Sequence, residues 1–255
     1  MITIKAQPPL ETSSAPRDAL HAFDITPCGD DTMFRRILAA AAMAAALPAL
    51  PAAAEDGFFT LSSDGDLMVR LRGVFVAPND DVRVDQVGGA DGDISTSVIP
   101  ELDFTYFFTP NIAAELILGT TPHDIDGKGA INGLDVGSVW LLPPTLTLQY
   151  HVTQLGDWTG IKNMDKIKPY FGAGVNYTIF YGESAGDPAV GTVSLDDTFG
   201  VAFQAGVDIE ITEGIYANMD VKYIMLETDW TSSTGLSGKA EINPVLVGFG
   251  IGARF

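Results

Sequence analysis

Past about residue 55 the chain is written with a period of two. At its end Val245, Val247, Phe249, Ile251, Ala253 and Phe255 alternate with Leu246, Gly248, Gly250, Gly252 and Arg254. Successive side chains of a strand point to opposite faces, so such a run puts its apolar residues on one face of a sheet. The same alternation sets Phe199, Val201, Phe203, Ala205, Val207 and Ile209 against Gly200, Ala202, Gln204, Gly206 and Asp208. It sets Phe171, Ala173, Val175, Tyr177 and Ile179 against Tyr170, Gly172, Gly174, Asn176 and Thr178. Leu102, Phe104, Tyr106 and Phe108 stand opposite Glu101, Asp103, Thr105 and Phe107, and weaker versions occur near Val69 to Phe75, Ile112 to Leu118, Leu146 to Tyr150 and Met219 to Met225. Eight strands of about ten residues or more are predicted, the length a tilted strand needs to cross a bilayer.

The intervals support that reading. Long polar stretches (residues 78–96, 121–139 and 182–197, and a last loop at 231–240) alternate with tight turns at Thr109-Pro110-Asn111 and Thr212-Glu213-Gly214 and a medium connection at Thr153 to Lys166. Long loops then lie at one rim and turns at the other, and an even strand count puts both ends of the barrel on the turn side. The expected fold is all-β, an eight-stranded antiparallel transmembrane up-and-down barrel over residues 55–255, whose closure satisfies every backbone group in a solvent that offers none. No run of 18 apolar residues follows residue 55, so transmembrane helices are not expected. A soluble lipocalin-like barrel has the same strand count with the apolar faces inward. Against it, the faces opposite the apolar ones carry Arg70, Arg72, Glu101, Asp103, Glu115, Asp208, Asp220, Lys222 and Arg254, which suit a polar lumen. The chain also ends on Phe255 in an alternating apolar run, an ending that suits insertion into a bacterial outer membrane. Tyr106, Phe108, Tyr150, Tyr170, Phe171, Tyr181, Tyr216 and Tyr223 near strand ends are candidates for interfacial girdles.

Composition adds two constraints. The chain has 255 residues and a mean hydropathy of +0.19, yet 33 acids against 14 bases give a net charge of −19. That balance argues against nucleic acid as a partner. Part of the hydropathy belongs to a leader. From Met33 the sequence gives Arg35 and Arg36, an Ala/Leu-rich run from Ile37 to about Leu50, then Ala52-Ala53-Ala54, the three parts of a secretory signal peptide over 33–54. Residues 1–32 read as a non-native or disordered extension ahead of a start at Met33. Removing the five acids and four bases of residues 1–54 leaves 28 acids and 10 bases, and the single cysteine, Cys28, goes with them. The exported chain then has no disulfide and no thiolate nucleophile.

Five strings, taken in order, make a family resemblance: LPPTLTLQYHV (Leu142 to Val152), KPYFGAGVNYTIFY (Lys168 to Tyr181), DDTFGVAFQAGVD (Asp196 to Asp208), YANMDVKY (Tyr216 to Tyr223) and the closing GFGIGARF. Together they resemble the OmpW family of outer-membrane proteins over nearly all of residues 55 to 255. The resemblance implies an eight-stranded barrel with a narrow apolar interior through which small hydrophobic compounds cross the outer membrane. In the third strand the family's Val-Glu-Leu-Leu becomes Ala114, Glu115, Leu116 and Ile117. In the seventh, an inward position often aromatic in the family is Lys222 here, so the interior at mid-depth is more charged than its relatives'. The loop around Pro122 and His123 matches the family's Thr-Pro-x-x-His region loosely.

An eight-stranded barrel leaves room only for side chains or one small ligand. The inward charges are expected to pair across the lumen and block it, with an apolar vestibule of Phe107, Ile117, Phe180, Ile224 and Leu226 on the loop side and lateral exit of the solute into the bilayer. The alternative is a structural or adhesive barrel with a filled lumen and partner-binding loops. Expected partners are outer-membrane lipid and lipopolysaccharide, small hydrophobic solutes and the barrel-assembly machinery, for a monomer without cofactors. Catalysis has little support: the exported chain has two histidines, His123 and His151, and no nucleophile or phosphate-loop motif, so Ser138 or Thr145 beside a histidine is the only arrangement to imagine. Loop carboxylates (Asp80, Asp81, Asp91, Asp93, Asp124, Asp126, Asp196, Asp197, Asp229) lack EF-hand spacing and read as a solvated acidic rim. No metal site is expected.

Overall fold

The computed structural model describes residues 66–255. The leader over 33–54, the extension before it and residues 55–65 lie outside the described residues.

Eight antiparallel strands close into a barrel. In chain order they are β1 (Leu67–Ala77), β4 (Ser97–Phe107), β5 (Ile112–Gly119), β8 (Thr145–His151), β9 (Ile167–Ala185), β11 (Thr198–Thr212), β12 (Ile215–Met225) and β15 (Val245–Arg254). Neighbours run β11-β12-β15-β1-β4-β5-β8-β9, and β9 pairs with β11 to close the ring. Phe255 and Leu67 exchange backbone hydrogen bonds at 2.8 and 3.3 Å, which puts the C-terminus and the first described strand at one rim with the short turns. At one of those turns Thr109 Oγ1 accepts from the amides of Asn111 and Ile112, closing the β4–β5 connection.

The apolar face of every barrel strand points outward. Leu71, Phe75, Phe171, Val175, Phe199, Phe203, Met219, Val221, Phe249 and Ile251 are all exposed, a band that only lipid can cover. Between them the inward positions are buried and mostly polar. Room for them comes from β15, whose inward residues below Leu246 include Gly248, Gly250 and Gly252. A Cβ on Gly248 would lie 2.3 Å from Asp220 Oδ1, and one on Gly250 2.2 Å from the Leu71 carbonyl oxygen and 2.7 Å from Arg72 Cγ. Glycine is required there because large inward side chains of β1 and β12 fill the space.

Two expectations need correction. The polar stretches read as loops fold into further strands: β2 (Asp81–Val84), β3 (Ala90–Ile94), β6 (Thr121–Gly129), β7 (Asp135–Leu142), β10 (Val193–Leu195), β13 (Glu227–Ser232) and β14 (Ser237–Glu241). They form two sheet segments, β3-β6-β7 continuing onto the upper part of β9, and β10-β13-β14-β2, which stand above the barrel mouth as a collar. The second correction concerns length. β5 and β8 have only 8 and 7 residues inside the barrel, because their pairing stops at Ile117↔Thr145 and resumes between β6 and β7 at Thr121↔Leu141. Pro143 and Pro144 sit in that gap and have no amide hydrogen to give a ladder. The medium connection after β8 holds a short helix, α1 (Leu155–Thr159), and a 3-10 turn at Met164–Lys166.

Candidate functional site

Three layers stack along the barrel axis. At mid-depth lies a plug of charges. Arg70, on β1, reaches across the lumen to Asp208 on β11, with Nε and Nη2 at 3.1 and 2.7 Å from its two oxygens, while Nη1 lies 3.1 Å from Glu115 Oε1. Arg72, one strand repeat above it, lies 2.8 Å from Glu101, 2.8 Å from Asp103 and 2.9 Å from Asp220. Lys222 Nζ donates to Glu101 Oε1 and Asp220 Oδ2 at 2.8 and 2.9 Å. These eight residues are all buried. Charges in that position persist only when paired and hydrogen-bonded, since each carries a desolvation cost of several kcal/mol. Five carboxylates face three cations, so the plug holds an excess of two negative charges when all are ionised.

Four uncharged side chains complete it, of which Gln149 and Asn218 are not among the expected lumen residues. Gln149 and Gln204 each donate to Glu115 Oε2, at 2.7 and 2.8 Å, Asn218 Nδ2 donates to Asp208 Oδ1 at 2.9 Å, and His151 Nε2 pairs with Gln149 Oε1 at 2.9 Å. All stand on the inward parity, so the alternation that placed the charges holds the signal for them too.

Above the plug is the neck, a cavity of about 40 Å³. Val76, Ile99, Ile117, Leu141, Ile224, Leu226, Ile242 and Leu246 form its apolar wall, and Glu101, Lys222, Thr121, Thr145, Thr178 and His123 also border it. Above the neck is the cup, a cavity of about 150 Å³ enclosed by the collar, where Val82, Val84, Ile94, Ile125, Leu134, Val190, Leu195 and Trp230 leave almost no polar lining. Neck and cup share one continuous apolar cluster, to which Phe180 also belongs. The neck borders the gap in the barrel wall: Gly119, Thr121 and Pro143 line it from either side of the unpaired seam between residues 118–120 and 142–144. The Pro143 and Pro144 carbonyls are held from the other side, by Asn176 Nδ2 at 3.2 and 3.4 Å and by the Tyr177 amide at 3.0 Å.

Of the five residues expected in a loop-side vestibule, Ile117, Ile224 and Leu226 line the neck and Phe180 packs in the cluster above it. Phe107 does not belong with them. It lies at the turn-side end with Met68, Ala113 and Tyr216, because β4 runs from mouth to turn and Phe107 is its last residue. Arg254, expected among the lumen charges, is placed at that same end, its guanidinium 4.0 Å from the centre of the Phe107 ring. The other eight expected charges are the plug. Phe255 is exposed at the turn-side rim.

The imagined nucleophiles are engaged elsewhere: Ser138 Oγ bonds Ser184 Oγ, and Thr145 Oγ1 donates to the Pro143 carbonyl. His123, on β6 above the membrane-spanning strands, has Nε2 3.0 Å from Thr121 Oγ1 and Nδ1 2.6 Å from the Ser95 carbonyl oxygen, with no carboxylate as orienting partner. Burial lowers its pKa, against the raising effects of the Ser95 carbonyl and Asp124. Several carboxylates of the collar tie backbone or side chains. Asp91 accepts from Val82 N, Asp80 from Ile94 N and Asp197 from Phe180 N, and Asp93 pairs with Lys128. Among the described residues no group of three or more His, Cys, Asp or Glu is placed to hold a metal ion.

Residues 63–255 match the model of the OmpW family. The chain is 47% identical over 191 residues to an uncharacterized outer-membrane protein, y4mB, of Sinorhizobium fredii, covering 73% of this chain and 79% of the relative. It is 32% identical to outer membrane protein W of Vibrio cholerae, covering 71% and 84%. It is 26% identical to the dibenzothiophene metabolism operon protein PahQ of Pseudomonas aeruginosa, covering 67% and 77%. Among solved structures it is similar to the outer membrane protein OprG of Pseudomonas aeruginosa, with a TM-score of 0.64, 28% identity and coverage of 75% and 96%.

Proposed function

The chain belongs to the OmpW family of outer-membrane barrels, and on that premise we propose that it admits small hydrophobic molecules from outside the cell. The solute enters the apolar cup, passes to the neck, and leaves sideways into the bilayer through the seam at residues 118–120 and 142–144. One observation carries this reading: an apolar cavity system ends below on a charged plug and borders, at the height of the neck, a barrel seam interrupted by paired prolines. A hydrophobic solute gains about 25 cal/mol for each Å² it hides from water in the cup and neck, and would lose that at the plug. The bilayer beside the seam keeps the gain. The relative named for a dibenzothiophene metabolism operon agrees with an apolar cargo.

The protein is exported by its leader over 33–54, inserted by the barrel-assembly machinery from its Phe255 end, and sits as a monomer among outer-membrane lipid and lipopolysaccharide. It acts without cofactor or catalysis. Uptake of a hydrophobic fluorescent reporter by vesicles holding the protein tests the reading. Wild type should exceed empty vesicles, Ile117→Asp should abolish the gain, and Phe107→Ala, at the turn-side end, should retain it. Uptake equal to that of empty vesicles would leave the structural or adhesive barrel, whose lumen is merely filled.

A further inference from the structure

We propose that the preferred cargo is a neutral amphiphile, a medium-length alkyl chain with one hydroxyl or amide, bound tail-up in the cup with its head in the neck. The inference rests on the entry path proposed above and names the class of molecule that the path selects. The two cavities differ in chemistry. The cup is apolar on nearly every side, whereas the neck, only a few residues lower on the same strands, is bordered by three threonine hydroxyls, an imidazole, an ammonium and a carboxylate. Most of these groups are bonded within the protein, but wherever one keeps bonding capacity, covering it with pure hydrocarbon is unfavourable.

The bonding of these groups leaves capacity at two points. An ammonium has three N–H donors, and Lys222 directs two of them, to Glu101 and Asp220. Thr178 Oγ1 donates to Asn176 Oδ1 at 2.7 Å, which leaves its lone pairs free to accept. A hydroxyl or primary amide both donates and accepts, so it can use either point, taking a hydrogen from Lys222 or giving one to Thr178. A carboxylate head can only accept, and it would approach a plug in which five carboxylates already face three cations. An alkane satisfies neither group. The order of preference is therefore neutral polar head, then alkane, then carboxylate.

Trp230 lines the cup and reports occupancy there. With Trp140→Phe and Trp158→Phe as background, Trp230 is the sole tryptophan of the exported chain, and its fluorescence is titrated in lipid nanodiscs with 1-decanol, decane and decanoate, each corrected for its partition into protein-free discs. Decanol should bind about tenfold more tightly than decane, the worth of one good hydrogen bond to a charged group, and decanoate should bind least. Thr178→Val and Lys222→Met should each reduce the decanol advantage while decane affinity stays the same. Thr178→Val is nearly isosteric and leaves the plug intact, so it decides the matter if Lys222→Met does not fold. If no probe changes Trp230 fluorescence, the entry path itself falls. If decane binds but decanol has no advantage, or the advantage survives both substitutions undiminished, the entry path stands and the head-group preference falls.

Discussion

The lower and upper halves of this molecule obey opposite rules while sharing strands and parity. In β1 the inward residues are Arg70 and Arg72 at plug height, then Val74 and Val76 higher up. β12 gives Asp220 and Lys222, then Ile224, with Leu226 following, and β4, read downward, gives Ile99, then Glu101 and Asp103. The outer faces invert as well. Leu71, Phe203 and Phe249 face out from the barrel, but on the collar the outward residues are Glu227, Asp229, Lys239 and Glu241, linked by Lys239–Glu227 and Arg83–Glu241 ion pairs. Below, lipid demands apolar residues outside and leaves the polar ones to pair inside; above, water demands the reverse. The crossover between the two regimes falls at the neck, and the apolar cavity exists because the strands continue past the bilayer.

The sharpest way to break this comparison is to remove a cation from the plug. Arg72→Met leaves Glu101 and Asp220 to Lys222 and Asp103 to Arg70 and should cost about 3–5 kcal/mol, the range for breaking a buried ion pair, seen as a lower urea midpoint for unfolding from vesicles. An equally stable variant would mean that the plug charges are hydrated and the lumen open. Next in size, Trp230→Ala in the cup should destabilise the collar by up to about 3–5 kcal/mol, with faster amide exchange in β13 and β14 and no change in the barrel strands; loss of both together would show that the halves are one cooperative unit. Acidification should act more gently. The folded pKa of His123 is lowered, so the neutral ring favours the folded collar at neutral pH and that contribution is lost as pH falls below the ordinary imidazole range. Protection of β6 amides, taken relative to their intrinsic exchange rate at each pH, should fall with acid in wild type and less so in His123→Gln. The smallest effect belongs to Lys239→Ala on the wet face of the collar, where an exposed pair contributes little; its unfolding midpoint should match wild type.

The barrel was legible because alternation is a signal of face, and eight segments carry it strongly enough. The plug followed from the same signal, since Arg70, Asp103, Glu115 and Asp208 share the inward parity. The collar was not legible. β3 reads ADGDI and β14 SGKAE, where four of the five inward positions are glycine or alanine and only Ile94 is a larger apolar residue, so the strands look like polar loop. Parity also says nothing of height. Phe107 and Ile117 both face inward, but β4 and β5 run in opposite directions and leave them at opposite ends of the barrel. The seam was present in the sequence as Pro143-Pro144, but only the register on both sides shows that it faces Leu118, Gly119 and Thr120.

The central claim is that the apolar path ends at the side wall. It is tested most directly by the rate at which an apolar, polarity-sensitive dye reaches the acyl region of vesicles holding wild type or the Pro143→Ala variant, which restores an amide donor on the side of the seam; Pro144 faces Tyr177 instead. The account predicts a rate well above that of empty vesicles for wild type, reduced several-fold in the variant as the ladder closes. Equal rates for the two proteins would contradict it.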